Sequence, residues 1–119
     1  MPNPISLRLL GEADLRHPDG SPVTAVLRQP KRLALLAFLA AGDARFVARD
    51  SLLGAFWPGL DLEHGRAALR RAIYFLRRAV GDDVLESRGD DVGVADGKLT
   101  CDVTAFEAAI KRGHDEAAL

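Results

Sequence analysis

The chain has 119 residues, of which 48% are hydrophobic and 28% charged, and a formal net charge of −1, values that describe one soluble globular domain with room for a single core. Its lone cysteine, Cys101, excludes an internal disulfide framework, and its longest apolar run, nine residues from Leu33 to Ala41, is about half a membrane span. A cytoplasmic protein without membrane association is therefore expected.

Ile5-Ser6-Leu7-Arg8-Leu9 alternates apolar and polar residues, the pattern of a strand with one face buried. Gly11 breaks it. Short extended pieces are expected at 12–16 and 22–27, joined by the turn His17-Pro18-Asp19-Gly20, which makes a small N-terminal antiparallel sheet. Pro30 fits a helical first turn, and Leu33, Leu36, Ala37 and Ala40 recur at helical spacing until Gly42. The first helix is thus predicted over 30–41, nearly all apolar and mostly buried. Arg45 to Ala48 reads as a short extended link. Arg49 to Phe56 suits a two-turn helix with Asp50 in its first turn, Leu52, Leu53 and Phe56 facing the core, and Trp57-Pro58-Gly59 as its stop. Trp57 is read as a core residue.

The helix predicted over 63–80 carries the most information. At about 100° per residue, Arg66, Ala67, Arg70, Arg71, Tyr74, Arg77 and Arg78 fall on one arc of roughly 140°, and every other residue from Ala68 to Val80 falls on an apolar arc opposite. No acid follows Glu63 on this helix, so none of the five arginines has a carboxylate four residues away along it on either side. Like charges so placed repel by a few tenths of a kcal/mol per pair, a cost that a polyanionic neighbour removes.

After Gly81 the period changes to that of a β-hairpin, 84–88 and 91–94, with Arg88-Gly89-Asp90 near its tip. From Asp102, read as a helix N-cap, Val103, Phe106, Ala109 and Ile110 form an apolar helical stripe ending at Arg112-Gly113.

The net charge hides a segregation. Residues 28–80 hold ten cations against four acids, residues 81–119 hold four against ten, and residues 1–27 sum to −1. A basic working surface in the middle of the chain is therefore compatible with a total near zero.

A small sheet, three helices and a hairpin, in that order, describe an α+β winged helix, in which the second and third helices form a helix-turn-helix and the hairpin forms the wing. Four segments then carry a resemblance: Gln29-Pro30-Lys31-Arg32-Leu33-Ala34-Leu35-Leu36-Ala37, Arg49-Asp50-x-Leu52-Leu53-x-x-Phe56-Trp57-Pro58, Arg66-Ala67-Ala68-Leu69-Arg70-Arg71-Ala72-x-Tyr74-x-Leu76-Arg77-Arg78 and Cys101-Asp102-Val103-x-x-Phe106. Together they closely resemble the N-terminal half of the Streptomyces antibiotic regulatory protein family. The resemblance implies an OmpR-like winged helix over 1–98, with 99–119 supplying only the start of a helical bacterial transcriptional activator domain. It also implies a transcription factor, usually an activator, that binds direct promoter repeats in double-stranded DNA as a homodimer and contacts RNA polymerase.

On this reading the 63–80 helix enters the major groove. Arg70 and Tyr74, near the middle of its polar arc, are expected to meet base edges, with Ala67 small enough to allow close approach. Arg66, Arg71, Arg77 and Arg78 flank them and would hold phosphates, which fix register without reading sequence. Arg49, at the start of the second helix, would add its charge to free backbone N–H groups for a further phosphate, and Arg88 would reach a minor groove.

Enzymatic readings lack support. His17, His64 and His114 are isolated, no Cys-x-x-Cys exists, and Asp61-x-Glu63-His64 has no second cluster, so no metal is expected. Gly93 to Lys98 is one residue short of a phosphate loop and has Leu99 where a magnesium-binding hydroxyl belongs. No catalytic residue and no cofactor are predicted. The competing reading is a winged helix whose arginine face binds an acidic protein partner.

Overall fold

The computed structural model describes residues 4–42 and 44–104. The elements run β1 (Ile5–Arg8), β2 (Asp14–Arg16), α1 (Thr24–Leu27), α2 (Pro30–Ala41), β3 (Phe46–Ala48), α3 (Arg49–Phe56), α4 (Leu62–Val80), β4 (Leu85–Arg88), β5 (Asp91–Val94) and β6 (Leu99–Cys101). This is an α+β winged helix. Two three-stranded sheets, ordered β2-β1-β6 and β3-β5-β4, share one apolar core built from α2, α3 and α4 together with both sheets.

The expected two-turn helix, the 30–41 helix and the hairpin with its two-residue turn are all present. Gly89 takes φ 58° in that turn, a left-handed conformation that glycine adopts without a Cβ penalty. The long helix begins at Leu62, one residue earlier than expected, because Asp61 caps it: its carboxylate accepts the His64 N–H at 2.8 Å, meeting one of the orphan donors of the first turn.

Three expectations are corrected. The segment 22–27 is not a strand; only Pro22 makes an isolated bridge, to Arg16, and Thr24–Leu27 forms one helical turn. The reason is the spacing of its apolar residues. Val23 and Val26 are the buried pair, and three-residue spacing puts them on one side of a turn but on opposite faces of a strand. The 30–41 helix is likewise less buried than its composition predicts: Leu35, Leu36 and Leu39 are buried, Leu33, Ala37 and Ala40 only partly so, and Phe38 is exposed. Trp57 is partly buried at the edge of the core, where the Lys31 ammonium sits 5.3 Å above its ring. An amphipathic indole there covers apolar neighbours without needing a buried partner for its N–H.

The N-terminal sheet also differs from the antiparallel pair that was expected. β2 pairs antiparallel with β1, but β6, which the periodicity did not reveal, pairs parallel with β1 on its other side, Ile5 opposite Leu99 and Leu7 opposite Cys101. Three residues are too few for alternation to show. Asp102 follows at once, and it is the first of the helical residues 102–104 rather than the residue before them. Its two carboxylate oxygens accept the backbone N–H groups of Leu9 and Leu10 at 2.7 and 2.9 Å. The chain from 105 onward, with Phe106, Ala109, Ile110 and Arg112-Gly113 of the expected apolar stripe, lies outside the described residues.

Desolvation raises the Asp102 pKa, but the backbone amides of Leu9, Leu10, Val103 and Asp102 itself together outweigh it and hold the carboxyl below its ordinary value. A depressed folded-state pKa gives stability that is present above the unfolded carboxyl's value of about 3.9 and is lost as pH falls through the folded one. Asp102→Ala is therefore expected to lower the thermal midpoint at pH 7, with the gap to the parent narrowing below pH ~4. Thermal melts at pH 7 and pH 3 check this.

Candidate nucleic-acid interface

α4 divides cleanly into two sides. Gly65, Leu69, Ala72, Ile73, Leu76 and Val80 are buried, and this anchored side fixes the rotation of the helix. Arg66, Arg70, Arg71, Tyr74 and Arg78 are exposed on the other side, with Ala67 and Arg77 half-buried at its margins. Tyr74 is 63% exposed, unusual for an aromatic residue with apolar surface to hide. At the helix start the His64 backbone N–H, and then its side chain, hold the Asp61 carboxyl below its usual range.

Two clefts run along this face. One, of about 350 Å³, lies between α4 and the wing and is lined by Arg49, Arg66, Arg70, Tyr74, Arg77 and Asp90 among others. The second, of about 560 Å³, lies between α4 and the first turn of α2. Arg70 and Tyr74 line both. One helical turn apart, they form the ridge between the clefts, while the remaining arginines stand on the flanks.

The wing-side cations already hold partners. Arg66 pairs with Asp50 of α3 at 3.1 Å, so the lack of a carboxylate four residues away on α4 did not leave it uncompensated; the carboxylate comes from the neighbouring helix. Arg49 and Arg77 each donate to the Ser87 hydroxyl at 3.1 Å, which ties α3 and α4 to the wing strand β4. The Arg49 backbone N–H donates to the Asp90 carbonyl at 3.2 Å, so the wing turn takes one of the free α3 N–H groups on which the reading of Arg49 relied. Arg77 Nε is buried and has no partner among the described residues, a donor that a bound anion or water would complete. Arg88 ends β4 with its guanidinium 4.4 Å from the Phe46 ring centre and its Nε 3.5 Å from Glu86, held on the wing's own surface.

Sequence reasoning missed Ser87, Asp50 as the partner of Arg66, and Arg32. All three act across elements, and helical periodicity describes only one element at a time. Arg32, on α2, lies 4.3 Å from the Phe75 ring centre and lines the second cleft with Arg70, Arg71, Tyr74 and Arg78. Among the described residues no helix is long and apolar enough to cross a membrane, and no group of three or more His, Cys, Asp or Glu is placed to hold a metal ion.

No family model and no curated protein matches the chain. Among solved structures, Mycobacterium tuberculosis EmbR in complex with a low-affinity phosphopeptide is similar, with a TM-score of 0.63 and 26% identity over 80% of this chain and 26% of that chain. The chain thus spans about a quarter of the length of EmbR. EmbR is a regulator of the Streptomyces antibiotic regulatory protein family, and the part matched is a winged helix.

Proposed function

From its resemblance to the Streptomyces antibiotic regulatory protein family, which the shared winged helix bears out, we propose that this protein binds double-stranded DNA sequence-specifically, as the DNA-binding part of a cytoplasmic bacterial transcriptional regulator. The observation that carries the reading is the Arg70–Tyr74 ridge between two arginine-lined clefts. A helix about 10–12 Å across fits the major groove, which places such a ridge against base edges and the cations on either side against the two phosphate walls. Arg71, Arg77 and Arg78 are phosphate anchors in this arrangement. Activation, binding to promoter repeats as a homodimer and contact with RNA polymerase are the wider roles that fit.

Selection of duplexes from a random-site library tests the proposal. Enrichment of a motif bound more tightly than scrambled duplex by several kcal/mol, with affinity falling steeply as salt rises, is the expected result. Recovery of no motif would favour an acidic protein partner instead. Arg77→Ala is expected to weaken selected and scrambled duplexes by the same factor, because phosphate contacts carry no sequence information; paired anisotropy titrations measure it.

A further inference from the structure

The two clefts flanking α4 differ in how much of their charge is already compensated. On the wing side Arg66 faces Asp50, Arg49 and Arg77 share Ser87, and Asp90 lies in the lining. On the α2 side the lining is Arg32, Arg70, Arg71, Tyr74, Phe75 and Arg78, four guanidinium groups with no carboxylate beside them, and none of the four has a hydrogen bond or ion pair among the described residues. Arg32 is the member that does not come from α4. Its stem leaves the first turn of α2, and its guanidinium sits on the Phe75 ring at 4.3 Å, half-buried. Stacking uses the face of a guanidinium and leaves the N–H donors in its plane free, while restricting the rotamers that binding would otherwise have to freeze.

We infer that Arg32 is a DNA phosphate anchor, and that the cleft between α2 and α4 seats the sugar–phosphate backbone of one strand along the major groove. This rests on the DNA-binding reading and extends the contact surface from the helix-turn-helix onto α2. The polymer chemistry fits the cleft: a row of monoanions is what the uncompensated guanidinium groups of Arg32, Arg71 and Arg78 match, with the Arg70–Tyr74 ridge beside them left to the base edges.

The test uses the whole 119-residue chain and anisotropy titrations over a salt series, on a duplex from the random-site library and on a scrambled one. Arg32→Ala is expected to weaken both duplexes by the same several-fold factor and to make the slope of log affinity against log salt shallower by about 0.9. Arg32→Gln keeps a planar amide on the Phe75 ring while removing the charge, so it reads the same slope even if the alanine variant folds poorly. Arg8→Ala, which removes an exposed cation from β1, should leave the slope unchanged. An unchanged slope in Arg32→Gln, a loss confined to the selected duplex, or an equal change in Arg8→Ala overturns the inference. If no motif is enriched but duplex still binds and Arg32→Gln flattens the slope, sequence-specific reading fails while the phosphate anchor stands; if no duplex binds at all, both fall.

Discussion

Arg70→Ala should lower affinity for a selected duplex by roughly 5- to 150-fold, the range for losing one good contact to a base edge, while affinity for scrambled duplex falls far less. The side chain is exposed, and the structure gives it no internal partner among the described residues, so its removal leaves nothing in the protein unpaired. Buried Leu69 and Ile73 on either side hold the backbone of α4 in place, and the variant should keep the parent melting temperature. The contrast with Arg77→Ala is the sharper part of the result. Arg77 is half-buried and linked to Ser87 and the Leu85 carbonyl, so its loss should weaken binding without relaxing preference and loosen the wing as well. Binding-site selection repeated with each variant gives the measurement: a blurred motif for Arg70→Ala and an unaltered one for Arg77→Ala. Identical motifs from the two variants would show that the ridge does not read bases.

Gly93→Ala should be the most damaging single methyl in the wing. Gly93 sits opposite Phe46 in the pairing of β3 with β5, and a Cβ there would fall far inside van der Waals contact distance of the Arg45 carbonyl oxygen and 2.9 Å from Phe46 Cδ1. The ring can turn, but the carbonyl belongs to the backbone and can only move with the strand. Overpacking of this kind costs about 1–3 kcal/mol or more, which for a domain of this size is a drop of roughly 5–20 °C in melting temperature. Gly59→Ala is the matched control, since nothing lies within 4 Å of its added Cβ. Thermal unfolding of the two variants side by side decides the matter, and equal midpoints would show that β3 yields more easily than its pairing suggests. The damage should also reach DNA binding, because β5 holds β4 in place and β4 carries the hydroxyl that Arg49 and Arg77 share.

Much of this architecture was legible where one element explains its own pattern. The two-sided α4 could be read from spacing alone, because five arginines and an uninterrupted apolar arc admit only one rotation against a core. The hairpin was legible from its flanking alternation and Gly-Asp turn. What escaped was held by partners distant in sequence. β6 is three residues long and becomes a strand only because β1 offers it an edge. Thr24–Leu27 turned out helical because Val23 and Val26 had to enter the same core. At the candidate interface, spacing along the helix separated Arg70 in the middle of the arc from the four flanking arginines but said nothing of their partners. The fold distinguishes the flanking ones further by bringing Asp50 to Arg66 and Ser87 to Arg77, and it brings in Arg32 from α2.

The parallel pairing of β6 with β1 has a consequence for the order in which the molecule assembles. The Thr100 hydroxyl and the Ile5 carbonyl that it meets are 95 residues apart, so closing this sheet requires a loop that encloses α1 to α4 and the wing. Loop closure of that length is entropically unfavourable until the intervening elements have condensed. Until Leu99–Cys101 pairs with it, β1 has only β2 beside it and its other edge is open. The last strand thus acts as a latch that closes after the core is built, and the open edge of β1 is the surface that a nascent or partly unfolded chain must keep from pairing with a neighbour.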